Sequence, residues 1–129
     1  MDLRPRERSF VFPESASSNE AVVGLRSCAT IEEAMLFKVM GVVRNLSAEP
    51  LRYPTAQVAF IDDQGKWLDR GRGWIVPEVL EPRCSGRFVL ATRPDPRIVR
   101  VAVTLADLDG APLPADYSRP DPAQGFVQP

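Results

Sequence analysis

Between Leu36 and Asp62 the chain reads as two β-strands that each bury one face. Phe37, Val39, Gly41, Val43 and Asn45 fall on one side at period two, and Val58 and Phe60 resume the rhythm after Pro50 and Pro54. Such alternation marks a half-buried strand, because successive side chains point to opposite faces of a sheet. The cleanest case comes later: Val99, Val101, Val103 and Leu105 face one way, and Arg100, Ala102 and Thr104 the other. Val39, Val43, Val58, Phe60, Phe88, Val99, Val101 and Val103 are the expected core.

The intervening pieces fit the same plan. Ala21–Cys28 reads as a first strand. Ile31–Ala34 reads as a turn or short 3₁₀ segment, with the second strand starting near Met35. Ser47–Pro54 is a loop, and Asp62-Asp63-Gln64-Gly65 a turn. Trp67–Val76 is a strand broken at Arg70-Gly71-Arg72-Gly73, and Arg87–Ala91 is another. Six or seven short strands with Gly, Pro and Asp turns and no long helix predict an all-β, antiparallel β-sandwich. Residues 1–20 read as a flexible N-terminal arm that docks through Phe10, Val11 and Phe12. Residues 21–111 form the sandwich, and 112–129 a tail too rich in proline for a central strand.

Composition excludes several kinds of chemistry. The sequence has no histidine, so Ser-His-Asp and Cys-His triads and histidine-ligated zinc or iron are ruled out. Its two cysteines, Cys28 and Cys84, make no Cys-x-x-Cys pair, and no metal or other cofactor is expected. A net charge of −1 over 129 residues argues against a nucleic-acid coat, and no apolar run is long enough to span a membrane. The start, Met1-Asp2-Leu3-Arg4-Pro5-Arg6, carries no apolar export signal as written. The expected place is the cytoplasm, or the cell envelope or exterior if a signal was removed. A cytoplasmic setting favours free, buried thiols over a Cys28–Cys84 disulfide.

The order of parts resembles the FxLYD family of immunoglobulin-like bacterial and archaeal domains, over roughly Val22 to Leu105. The features that carry the resemblance are Gly41-Val42-Val43-Arg44-Asn45, an alternating strand ending at Asp62 before Gly65, a Pro82…Gly86-Arg87-Phe88 segment and a Val-rich last strand. The naming motif falls on Val58-Ala59-Phe60-Ile61-Asp62, of which Asp62 is kept. The resemblance implies an immunoglobulin-like sandwich of about seven strands that serves as an accessory or adhesion-type module, with no shared catalytic residues.

One segment stands out as a binding candidate. In Lys66-Trp67-Leu68-Asp69-Arg70-Gly71-Arg72-Gly73-Trp74, two tryptophans flank two arginines, and the window Lys66–Arg100 holds eight basic residues against four acidic. Trp67, Arg70, Arg72 and Trp74 together would stack on and pair with a partner. The plain alternative is that one tryptophan fills the core while the arginines solvate a hairpin. Trp67 and Trp74 are seven positions apart and face opposite sides of an unbroken strand, unless a bulge at Gly71 and Gly73 resets the phase.

Asp62, Asp63, Asp107 and Asp109 are the carboxylates for a calcium site between two turns, although turn chemistry alone accounts for them. Asn45-Leu46-Ser47 fits a glycosylation sequon, but Asn45 already has a role in ending a strand. The function expected is a non-catalytic binding or accessory module with an unidentified protein partner, as a monomer or homodimer. The alternatives are a structural domain packing on another chain and, last, a carboxylate-based hydrolase.

Overall fold

The computed structural model describes residues 8–118 and Pro120, so the first seven residues and most of the proline-rich end lie outside it. Among the described residues there are ten strands and no helix. They are β1 (Ser9–Val11), β2 (Val23–Glu32), β3 (Phe37–Asn45), β4 (Leu51–Arg52), β5 (Thr55–Ile61), β6 (Trp67–Trp74), β7 (Val79–Leu80), β8 (Ser85–Thr92), β9 (Arg100–Ala106) and β10 (Ala115–Asp116). Two four-stranded sheets, in the orders β1-β9-β5-β6 and β10-β2-β3-β8, face each other, and β4 and β7 form a small separate pair. The fold is an all-β sandwich.

The periodicity that defines the strands also builds the core. Phe37, Val39 and Val43 of β3, Phe60 of β5, Phe88 of β8 and Val101, Val103 and Leu105 of β9 are all at most 2% exposed. Phe37 and Phe60 meet edge to face across the two sheets with centroids 5.8 Å apart, a favoured aromatic geometry. Gly41 lies directly opposite Phe88. A Cβ at Gly41 would sit 2.3 Å from two atoms of that ring, so the missing side chain is what lets the ring lie against the β3 backbone.

Three boundaries depart from the sequence pattern. β2 runs on through Ile31 and Glu32, absorbing half of the expected turn, because Thr30, Ile31 and Glu32 continue the ladder against Val39, Lys38 and Phe37. Val99 is half-buried and precedes its strand, while Ile98 is 1% exposed and takes the core position. Asp95 imposes this local reversal: its side chain accepts the Arg97 N–H and its carbonyl accepts the Ile98 N–H. The Arg97 guanidinium hydrogen-bonds the same carboxylate and holds it below its ordinary pKa.

The third departure is that both arms add edge strands. β1 pairs in parallel with β9, and β10 in parallel with β2. Three and two residues are too few to show a period. The arms also meet each other: Phe10 stacks on Phe12 and Phe12 on Tyr117, each at 5.9 Å. The Tyr117 hydroxyl accepts the Leu105 N–H at 2.8 Å, closing a β9 backbone group that β1 is too short to reach. Burial raises the Tyr117 pKa from its ordinary value.

Candidate functional site

β6 is the edge strand of its sheet and is unbroken from Trp67 to Trp74, contrary to the expected interruption at the glycines. A register shift comes earlier: Phe60 pairs with Asp69 and Ile61 with Trp67, leaving Leu68 as the extra residue. That bulge decides the geometry. Ala56, Val58 and Phe60 point into the core, so Thr55, Gln57, Ala59 and Ile61 point out. Their partners Trp74, Arg72, Arg70 and Trp67 therefore share the outer face. Without the extra residue at Leu68, Trp67 would face inward. Gly71 and Gly73 have a different task from the expected bulge: a Cβ at Gly73 would stand 2.8 Å from Leu90 Cδ1, and one at Gly71 would stand 3.1 Å from Leu90 Cδ2. They make room for a core leucine of the opposite sheet.

The result is an open depression of about 450 Å³ on the outer face of β6, β5 and β9. Its floor is small, made by Ala59 and Ala102 with Gln57 and Thr104, and Trp67, Arg70 and Arg72 wall it. The plain alternative of one core tryptophan does not hold, since Trp67 is 57% and Trp74 50% exposed.

The two arginines are held differently. Arg72 Nη1 donates to the Leu108 carbonyl at 3.1 Å, and its guanidinium lies 5.8 Å from the Trp74 ring centroid. Gln57 Nε2 donates to the Gly110 carbonyl at 3.1 Å, so both side chains brace the turn after β9. Arg70 lines the depression and has no side-chain hydrogen bond or ion pair among the described residues. The neighbouring Asp69 carboxylate is engaged on the far side, where it accepts the Thr92 hydroxyl and the Arg70 backbone N–H. That N–H belongs to the open edge of β6, so Asp69 partly blunts the edge against strand addition.

The other candidates do not assemble. Asp62 follows the end of β5 that pairs with Arg100, whereas Asp107 follows the Ala106 end of the same ladder. Six residues of strand, about 20 Å, separate them. Each carboxylate caps its own turn: Asp62 Oδ1 accepts the Gln64 and Lys66 N–H groups, and Asp107 Oδ1 those of Asp109 and Ala111. No carboxylate lines the depression. Asn45 is fully buried; its amide donates to the Glu49 and Leu80 carbonyls, and its oxygen accepts the Ser47 N–H and hydroxyl. A glycan has no access to it.

Both cysteines are free, but only Cys28 is buried; Cys84 is exposed in the turn before β8, contrary to the expected burial. β3 lies between β2 and β8, which puts the two cysteines' strands about 10 Å apart, beyond disulfide reach. Burial pushes the Cys28 thiol up to about 12.

What sequence reasoning missed is the floor. Ala59, Ala102 and Thr104 look like ordinary outward positions until β5 and β9 are paired. The chain matches no family model, no curated protein and no solved structure. No helix among the described residues is long and apolar enough to cross a membrane.

Proposed function

We propose that the protein is a non-catalytic binding module whose recognition surface is the outer face of β6, β5 and β9, and that its partner is a protein. One observation carries the reading: the Leu68 bulge aligns Trp67, Arg70, Arg72 and Trp74 on one exposed face, the first three around a floor of Gln57, Ala59, Ala102 and Thr104. Tryptophan and arginine are the side chains most enriched at binding hot spots. The immunoglobulin-like accessory domains that the sequence resembles are consistent with this role.

The test is site-specific photo-crosslinking in the cells that make the protein, with the photoreactive residue at position 67 or, as control, at 89 on the opposite sheet. A discrete adduct from position 67 alone, lost on Arg70→Ala/Arg72→Ala substitution at unchanged thermal stability, is the expected result. Equal adducts from both positions, or none from 67, would remove the proposal. A second reading, a structural domain that packs on another chain, draws on the other sheet. Its outer face carries Ile31, Met40, Val42 and Val89, the last 56% exposed. An adduct from position 89 alone would favour it.

A further inference from the structure

The depression is cationic and apolar but not acidic, and that combination narrows its occupant. The chain as a whole carries a net charge of −1, so the positive character is local to this face. Arg70 and Arg72 are its cations, and Arg70 is the one whose side chain has no hydrogen bond or ion pair among the described residues. An unpaired guanidinium beside the apolar surface of Trp67, Ala59 and Ala102 suits a peptide carboxylate, which it can bind through two parallel hydrogen bonds. The floor, in contrast, offers methyl groups from Ala59, Ala102 and Thr104. Its one amide, Gln57, is already committed to Gly110. Such a surface gives little to the many hydroxyls of a sugar and suits an apolar or aromatic side chain resting against Trp67.

On these grounds, and resting on the binding-face reading above, we infer that the partner presents an acidic peptide segment: a carboxylate for Arg70 with an apolar or aromatic side chain beside it for the Ala59–Ala102 floor and the Trp67 wall. Arg72 has a separate part. Bonded to Leu108 and lying over Trp74, it is a positioning residue that fixes the turn at one end of the depression. The segment lies across the face, where its side chains meet Arg70 and Trp67, and Asp69 makes addition to the β6 edge less favourable by occupying the Arg70 N–H.

The chain has two tryptophans, and both flank this face, so their indole N–H signals report on it without background. The experiment selects binders from a displayed library of random octapeptides on the folded full chain, then follows the recovered peptides by the indole signals of ¹⁵N-labelled protein. Oligogalacturonate serves as the acidic sugar probe.

Recovered peptides should be rich in Asp or Glu next to aromatic or aliphatic residues and should shift the Trp67 signal. Their affinity should fall at least tenfold in Arg70→Ala, recover in part in Arg70→Lys, and weaken several-fold as salt screens the pair. Arg72→Ala should weaken neutral and acidic peptides alike. Neutral peptides that shift the indoles and ignore Arg70→Ala would overturn the acidic assignment while leaving the binding face standing. Peptides that bind without moving either indole would overturn both. Failure to enrich any peptide, or a Trp67 shift produced by oligogalacturonate alone, would overturn the peptide assignment.

Discussion

Replacing Gly41 with alanine asks whether the two strands that dominate the sequence pattern pack as described. The new Cβ would lie 2.3 Å from Phe88 Cε1 and Cζ, whereas carbon atoms pack best at about 3.5–4.0 Å. The ring must therefore retreat by more than about 1 Å. Phe88 is only 1% exposed and sits among close-packed neighbours, so it has no open space to enter. Overpacking of this kind costs about 1–3 kcal/mol. Alanine recovers part of that, about 0.5–1 kcal/mol, by reducing the freedom of the unfolded chain. With an approach this close the overpacking belongs at the upper end, about 2–3 kcal/mol, so the net expectation is a loss of about 1–2.5 kcal/mol, or about 3–12 °C in Tm for a chain of this length. Thermal and urea melts of Gly41→Ala read it directly. Trimming the ring in Gly41→Ala/Phe88→Leu should make the glycine substitution cheaper than it is in the wild type, a coupling that a double-mutant cycle measures. A neutral Gly41→Ala variant, or strict additivity with Phe88→Leu, would refute the close approach.

Three further substitutions probe the core and the arms. Val101→Ala empties a site with no exposure and should cost about 1–3 kcal/mol in a urea melt. Tyr117→Phe strands the Leu105 N–H that the hydroxyl now satisfies, so a loss of about 1–3 kcal/mol and faster amide exchange at Leu105 are expected. For Cys28, whose thiol is pushed up to about 12 from 9.0, the folded state holds its proton longer than the unfolded state does. Its contribution is complete below pH 9 and drains away as pH rises toward 12, at most about 1.4 kcal/mol per pH unit. Melts between pH 8 and pH 10.5 should fall less steeply for Cys28→Ala than for the wild type, Tyr117 being common to both.

The core was legible because period two is a strong signal wherever one sheet face is buried and the other is not. Phe37 to Asn45 and Val101 to Leu105 show it without interruption. Val99 failed because the Asp95 turn reverses the chain just before β9, and side-chain capping of that sort leaves no periodic trace. The edge strands of the arms left no periodic signal for another reason: β1 and β10 are three and two residues long, and their pairing is dictated by the open edges of β9 and β2.

At the candidate site, residue type alone drew attention to Trp67, Arg70, Arg72 and Trp74. Their common face did not follow from it, because odd spacing puts the two tryptophans on opposite sides of a regular strand. Glycine made positions 71 and 73 the natural place to expect a bulge. The real one is at Leu68, and the glycines answer instead to Leu90 on the other sheet. Only tertiary contact distinguishes these two uses of a glycine.

Collisional quenching of tryptophan fluorescence by iodide and by caesium tests the exposed cationic face most directly, since both tryptophans flank it. The account predicts red-shifted emission from two accessible indoles. The ratio of iodide to caesium quenching should exceed that of a neutral free indole because Arg70 and Arg72 raise the local anion concentration, and Arg70→Ala/Arg72→Ala should bring it back toward the free-indole ratio. Blue-shifted emission that resists both quenchers, or an iodide-to-caesium ratio in the wild type no higher than that of the free indole, would contradict it.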